Sequence, residues 1–252
     1  MITVISDPGF DLQTPFDVAV VVPTTLAPTL PRALESVFGQ SYRGRTQVLL
    51  GLDQTRGSDE AVRRACTARP AHAAVTVLDP GYSTAAPRGG LHSAADAGAM
   101  RTILTFAANS TRVAYLDEDC WWDPEHVASL LAAIEGHDYA YSLRWLVDGE
   151  TPGGKLVDEW LSVGPGRGQL KERFGGFADP STLMVDKLAC AHILHLWSLG
   201  LTEDGKFGEL RFFSELAARH RGNGTGRATA FYPIEKNEVL WANLRRARQG
   251  AR

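Results

Sequence analysis

Three acidic residues stand in a row at Asp117-Glu118-Asp119, directly behind the apolar run Val113-Ala114-Tyr115-Leu116. A run of that length reads as a buried strand. On an extended backbone, residues two apart point the same way. Asp117 and Asp119 can therefore aim two carboxylates at one point beyond the strand's C-terminal end. In open α/β sheets that edge is where ligands bind. Two carboxylates converging in a cleft repel each other unless a cation lies between them, and a hard, oxygen-preferring ion, Mn²⁺ or Mg²⁺, suits that donor set. The same ion can hold a diphosphate. A lone D-x-D also reads as a solvated acidic turn. Here a strand precedes it and a helix signal follows, with Asp123 as N-cap and Pro124 at the first helical position. Val127, Leu130, Leu131 and Ile134 then repeat at helical spacing.

Other residues with chemistry to offer sit at other strand ends. Asp53 closes the run Gln47–Leu52. It can accept hydrogen bonds from a nucleobase ring N–H or a ribose, or simply form a turn. Thr24 and Thr25 follow Pro23 at the end of Val18–Val22, where hydroxyls and backbone can meet the same nucleoside or merely end the strand. Arg88-Gly89-Gly90 precedes a helix start. Glycines there let a backbone approach a phosphate, helix N-termini favour anions, and an arginine pairs with a diphosphate. Trp121 and Trp122 follow the acidic triplet; a Trp face stacks on a sugar ring, and a Trp also fills a core. His192 and His195 are three apart and read as ordinary members of an apolar helix.

The elements that must hold these residues alternate. Residues 1–15 read as a lead-in arm. Strands are expected over 18–22, 47–52, 74–78 and 113–116, with helices from Thr29, from Ser58 to about Ala68, and over Leu91–Ala108. Past the central helix, Tyr139–Val147 and Thr182–Val185 read as strands. Asp186 caps a helix to about Leu199, Gly208–His220 is a further helix, Arg227–Tyr232 a last strand, and Glu235–Arg248 a basic helix. This alternation predicts an α/β fold with a mostly parallel central sheet flanked by helices and right-handed crossovers. No repeat or linker divides it, so a single domain is expected.

Composition bounds the function. The chain has 252 residues, 44% hydrophobic and 22% charged, as in ordinary globular proteins. A formal net charge of -3 gives no bulk-charge signal for nucleic acid. Cys66, Cys120 and Cys190 show neither metal-ligand spacing nor a disulfide framework. No apolar run is long enough for a membrane span, and residues 1–17 show no signal-peptide pattern. A cytoplasmic protein is expected.

These pieces stand in the order of a known family. The chain resembles family 2 glycosyltransferases of the GT-A fold along most of its length. Leu34-Glu35-Ser36-Val37 with Gln40-Ser41-Tyr42 resembles that family's L-x-S-V-x-x-Q-T/S-Y helix, the most specific match. Val18–Thr25, Gln47–Asp53, Gly90–Gly98, Arg112–Pro124, Ser181–Val185 and Leu199–Phe213 resemble further blocks in sequence order. The departures are Gln54, Asp96 and Leu210; Leu210 stands where the family's Glu-Asp pair has its Asp.

The resemblance implies a metal-dependent, inverting glycosyltransferase that moves a sugar from a UDP- or dTDP-sugar to an unidentified acceptor hydroxyl. Residues 16–119 would form the nucleotide-sugar half and 120–252 the acceptor half. Pro23, Thr24, Thr25, Asp53, Arg88, Gly90, Asp117 and Glu118 would bind the nucleotide. Asp117 and Asp119 would hold Mn²⁺ or Mg²⁺, and Trp121 or Trp122 the sugar or acceptor. Glu209 or Asp204 would be the base. The rivals are a degenerate, non-catalytic glycosyltransferase-like domain, kept open by Leu210, and a D-x-D phosphatase of the haloacid dehalogenase type.

Overall fold

The structure is a computed structural model and describes residues 1–53, 59–94, 97–147, 154–203, 207–234 and 246. The residues expected to form an arm begin with a strand, β1 (Ile2–Ile5), laid antiparallel on the sheet edge. β2 (Val18–Thr24) leads to α1 (Leu30–Phe38), β3 (Thr46–Leu52) to α2 (Asp59–Ala65), and β4 (Ala73–Leu78) to α3 (Gly98–Ala107). β5 (Arg112–Tyr115) delivers the acidic triplet. β6 (Trp121–Trp122), α4 (His126–Ile134) and β7 (Tyr139–Val147) follow. Then come β8 (Lys155–Val157), β9 (Gly164–Pro165), α5 (Lys171–Phe174), β10 (Gly176–Phe177), β11 (Leu183–Asp186), α6 (Gly208–Arg219) and β12 (Gly222–Pro233).

The main sheet runs β1-β4-β3-β2-β5-β11-β7-β12-β6, with β8 beside β7. β4, β3, β2 and β5 are mutually parallel, as are β7 and β12; the other pairings are antiparallel. The chain steps outward from β2 to β3 to β4, then returns to place β5 on the other side of β2. The loops leaving β2 and β5 therefore diverge, and such a switch point opens a crevice at the C-terminal ends of the strands.

Alternation along the strands divides the core. Val18, Val20 and Val22 of β2 pack with Leu34, Val48, Leu50 and Leu130 on the face covered by α1, α2 and α4. Ala19 and Val21 pack with Leu49, Met100, Val113, Tyr115 and Phe212 on the face covered by α3 and α6. Strands buried on both faces read as continuous apolar runs, which is why this half was legible.

Other elements differ from the sequence reading. Leu91–Ala94 is not helical; His92 pairs with Ala85, and α3 starts only at Gly98, where a methyl group would strike the Trp197 carbonyl. Asp123 accepts the Glu125 amide at 3.0 Å, but α4 begins at His126. Asp186 accepts the Leu188 and Ala189 amides, each at 3.0 Å, and turns follow with a 3-10 helix at Leu194–Ser198 instead of an α-helix. Thr29 makes no side-chain cap to α1. Ser58 and Glu235–Arg245 lie outside the described residues.

His126 locks the end of this frame. It is fully buried, its ring stacks on Trp122 with centroids 4.3 Å apart, and its Nδ1 lies 2.8 Å from Thr229 Oγ1. Burial pushes its pKa down to about 3. The unfolded chain thus takes up a proton below pH 6.5 that the folded chain refuses, so stability is lost as pH falls from 6.5 towards 3. Urea unfolding at pH 4, 5, 6 and 8 should show this proton as a slope that approaches about 1.4 kcal/mol per pH unit below pH 6 and fades above pH 7, and His126→Gln should remove that contribution.

Candidate functional site

The three acids at the end of β5 have three different fates. Glu118 turns back to the loop after β2. Its Oε1 accepts the Thr25 amide at 3.0 Å and the Thr25 hydroxyl at 2.8 Å. Its Oε2 accepts the Ala27 amide at 2.9 Å and the Thr24 hydroxyl, and that hydroxyl in turn accepts the Leu26 amide at 2.8 Å. This loop needs holding, because Leu26 sits at φ 63°. Left-handed backbone costs a branched residue about 1–2 kcal/mol, and the carboxylate clamp offsets it. The sequence reading gave Glu118 to the nucleotide; in the structure its oxygens hold the loop that carries Thr24 and Thr25.

Asp117 faces the crevice. Its Oδ1 accepts from Arg101 Nη2 at 2.5 Å, and its own amide donates to Ser181 Oγ at 3.2 Å. Burial raises its pKa to about 6; Arg101 opposes the shift, and the charges of Asp179 and Asp119 add to it. Asp119 is exposed at the cavity, yet partial loss of water raises its proton affinity too, and Asp179 and Glu118 add to that shift. The Asp119 carbonyl accepts Arg32 Nη2 at 3.1 Å. Together these residues wall a cavity of about 380 Å³, within the usual range for small-molecule sites. Its lining also includes Pro23, Thr24, Thr25, Arg88, Arg101, Asp179, Pro180, Glu209 and Tyr232.

Asp53 is fully buried just behind this wall. Its Oδ1 accepts both the amide and the hydroxyl of Thr84 at 2.7 Å, while Oδ2 lies 3.5 Å from Arg88 Nη1 and accepts no hydrogen bond from the described residues. A buried carboxylate oxygen in that state calls for a partner; Asp53 does not line the cavity, whereas the neighbouring Arg88 does. Gly90 does not line the cavity. A methyl group there would run into the Thr84 carbonyl, so this glycine serves close packing of the loop that fixes Asp53, not approach to a phosphate.

Glu209 lies in the first turn of α6 and lines the cavity, whereas Leu210 is buried in the core. Asp204 lies outside the described residues. The two tryptophans do not open onto the cavity. Trp122 is buried, with Nε1 donating to the Ser181 carbonyl at 2.7 Å. Trp121 stacks on Phe231 and carries Arg32 at 3.7 Å over its ring, so it supports the backbone of Asp119. Core packing and strand pairing with β12 have taken both rings. His192 and His195 sit beside a separate groove behind α6.

Sequence reasoning missed Arg101, Asp179 and Tyr232, whose partners come from distant segments. It also missed the strain. Among the described residues the non-glycine positions with positive φ are Leu26, Ala97 and Phe207. Ala97 lines the cavity, Leu26 lies between two lining residues, and Phe207 precedes the α6 turn that presents Glu209. Strain of this kind concentrates at functional sites.

Among the described residues no group of three or more His, Cys, Asp or Glu is placed to hold a metal ion. The donor chemistry still fits a hard cation held by Asp117 and Asp119. Loss of water, with the neighbouring negative charges adding to it, raises the proton affinity of both carboxylates, and a cation would relieve it, with ligand oxygens and water completing the shell.

The fold has known counterparts. S. aureus TarS 1-349 superposes with a TM-score of 0.60 at 14% identity over 86% of this chain. TarS 1-349 in complex with UDP-GlcNAc gives 0.59 at 14% over 90%. The mannosyltransferase PcManGT from Pyrobaculum calidifontis, in complex with GDP-Man and Mn²⁺, gives 0.56 at 15% over 96%. This chain spans 60%, 61% and 63% of those chains. No protein-family model and no curated protein matches it. The fold is that of the GT-A glycosyltransferases.

The Glu118 clamp is testable apart from any activity. Glu118→Ala removes a charged acceptor from four part-buried donors that water can reach, and a donor left unpaired costs about 1–3 kcal/mol. We expect a net loss of about 2 kcal/mol in urea unfolding, with faster hydrogen exchange at the Thr25 and Ala27 amides. Unchanged exchange there would show that the loop holds itself.

Proposed function

We propose that the chain is a metal-dependent, inverting glycosyltransferase that transfers a sugar from a nucleoside diphosphate sugar to an acceptor hydroxyl. The observation that carries this reading is that Asp117, Asp119 and Glu209 line one cavity at the switch point of the sheet. The named ligands of the counterparts, UDP-GlcNAc and GDP-Man with Mn²⁺, support the donor class. UDP and dTDP donors follow from the sequence resemblance, and GDP joins them as a donor to test. Leu210 had kept a non-catalytic relative open. Its side chain belongs to the core, and the neighbouring Glu209 supplies a carboxylate to the cavity.

In this reading Arg88 meets the nucleotide from the cavity wall, with Asp53 Oδ2 buried 3.5 Å behind its guanidinium. The loop held by Glu118 lies against the nucleoside. Arg101 keeps Asp117 oriented and adds fixed positive charge near the phosphates. A bound Mn²⁺ or Mg²⁺, held by Asp117 and Asp119, would spread the charge of the departing diphosphate. Glu209 takes the proton from the acceptor hydroxyl as its oxygen bonds to the anomeric carbon. The carbon–oxygen bond to the diphosphate breaks on the opposite face, which inverts the centre. The N-terminal end of α6 favours an ionised carboxylate at Glu209.

Nucleotide release from UDP- and GDP-sugars with Mn²⁺ tests the activity. UDP or GDP at a hundredfold excess over Kd should stabilise the protein by about 2.7 kcal/mol, and Asp119→Ala should remove most of that gain. An unaltered gain would move the metal away from Asp119.

Glu209→Gln should lower kcat about 10²–10⁴-fold with donor affinity kept. An unchanged kcat would place the base elsewhere.

A further inference from the structure

Beside the strand-end acids lies a second buried charge system. Arg144 of β7 is 2% exposed. Its Nε donates to Asp158 Oδ2 at 2.9 Å and its Nη1 to Asp179 Oδ2 at 2.5 Å, and its guanidinium carbon lies 4.1 Å from the centre of the Tyr232 ring. Asp158 also accepts the amides of Trp160, Leu161 and Ser162 at 3.0, 2.9 and 3.1 Å. Ser162 Oγ accepts the Asp179 amide at 2.9 Å, and Asp179 Oδ1 accepts the Ser181 amide at 2.9 Å. One guanidinium thus joins β7, the 158–162 turn, the 179–182 turn and β12.

Burying such a group costs more than an apolar residue of the same size would. Its placement explains its presence. Of the three groups it touches, Asp179 and Tyr232 line the cavity and Asp158 does not. Both lining groups come from the half of the sheet beyond Asp117–Asp119, away from Asp53 and Arg88. A carboxylate accepts from sugar hydroxyls, and an aromatic ring offers a face to a sugar. Burial raises the Tyr232 phenol, so its hydroxyl keeps its proton and can donate.

We propose that Arg144 is a positioning residue for the donor sugar: anchored by Asp158, it presets Asp179 and Tyr232 as the wall that recognises the sugar rather than the nucleotide. This rests on the glycosyltransferase reading. The test is calorimetric titration of UDP, GDP and their sugar conjugates, with Mn²⁺, into wild type, Arg144→Met, Arg144→Lys and Asp158→Asn. Arg144→Met should weaken the sugar nucleotide about tenfold while the bare nucleotide changes less than about twofold, the loss of one charge-assisted contact. Arg144→Lys should recover part of the loss. Asp158→Asn, which loosens Arg144 from the side away from the cavity, should show the same selective loss if Arg144→Met does not fold. Parallel losses for nucleotide and sugar nucleotide, or no loss for either, overturn the proposal and leave the transferase reading standing. Failure of wild type to bind any of these nucleotides overturns both.

Discussion

Negative charge converging on the cavity at the C-terminal end of β5 is the constraint on which the rest of the site depends. Asp117, Glu118 and Asp119 leave the sheet together, and Asp179 comes to the same cavity from the turn before β11. Like charges on one partly desolvated cavity disfavour one another's ionised form unless they are compensated. The chain answers from four separate places. Glu118 is absorbed by the donors of the β2 loop, Asp117 by Arg101 of α3, and Asp179 by Arg144 of β7, while Arg32 of α1 holds the carbonyl of Asp119. Each answer ties a different element to the end of β5, so compensating the charge also shapes the cavity.

Topology supplies the opening that this charge surrounds. Because β3 and β5 lie on opposite sides of β2, the loops leaving β2 and β5 part instead of packing on each other. The glutamate between the two aspartates bridges the gap. The chain turns there, with the Cys120 amide donating to the Asp117 carbonyl at 3.0 Å, so that Asp117 meets Arg101 while Glu118 reaches the β2 loop.

Strain and clamping are distributed in the same way. Leu26, Ala97 and Phe207 hold left-handed backbone where three loops meet the cavity, and a fully satisfied carboxylate, Glu118, steadies the first of them. A site built from loops gains order when supporting hydrogen bonds fix those loops in advance. Asp53 follows the same rule from the other side: Thr84 fixes one oxygen and Gly90 permits the approach that places Thr84.

The sequence by itself determined the parallel half of the sheet, the strand-end acids and α6. Val18–Thr24 and Thr46–Leu52 are buried on both faces, so their apolar runs are unbroken and readable. Asp117 and Glu209 stand on the cavity from a strand end and a helix start, patterns that are local in the sequence, whereas Asp119 reaches it through a turn and not along the strand. Tertiary structure decided the rest. Trp121 and Trp122 read either as sugar platforms or as core, and pairing with β12, more than a hundred residues later, makes them core and strand partners. The stretch after Asp186 has helical-looking apolar spacing, yet packing against α3 and α6 folds it into turns and a 3-10 helix. Arg101, Arg144, Asp158 and Asp179 carry no local signal, since a buried ion pair is defined by its partner, and each partner lies well over ten residues away along the chain. Periodicity encodes which face a residue takes; only the folded chain decides which charges meet.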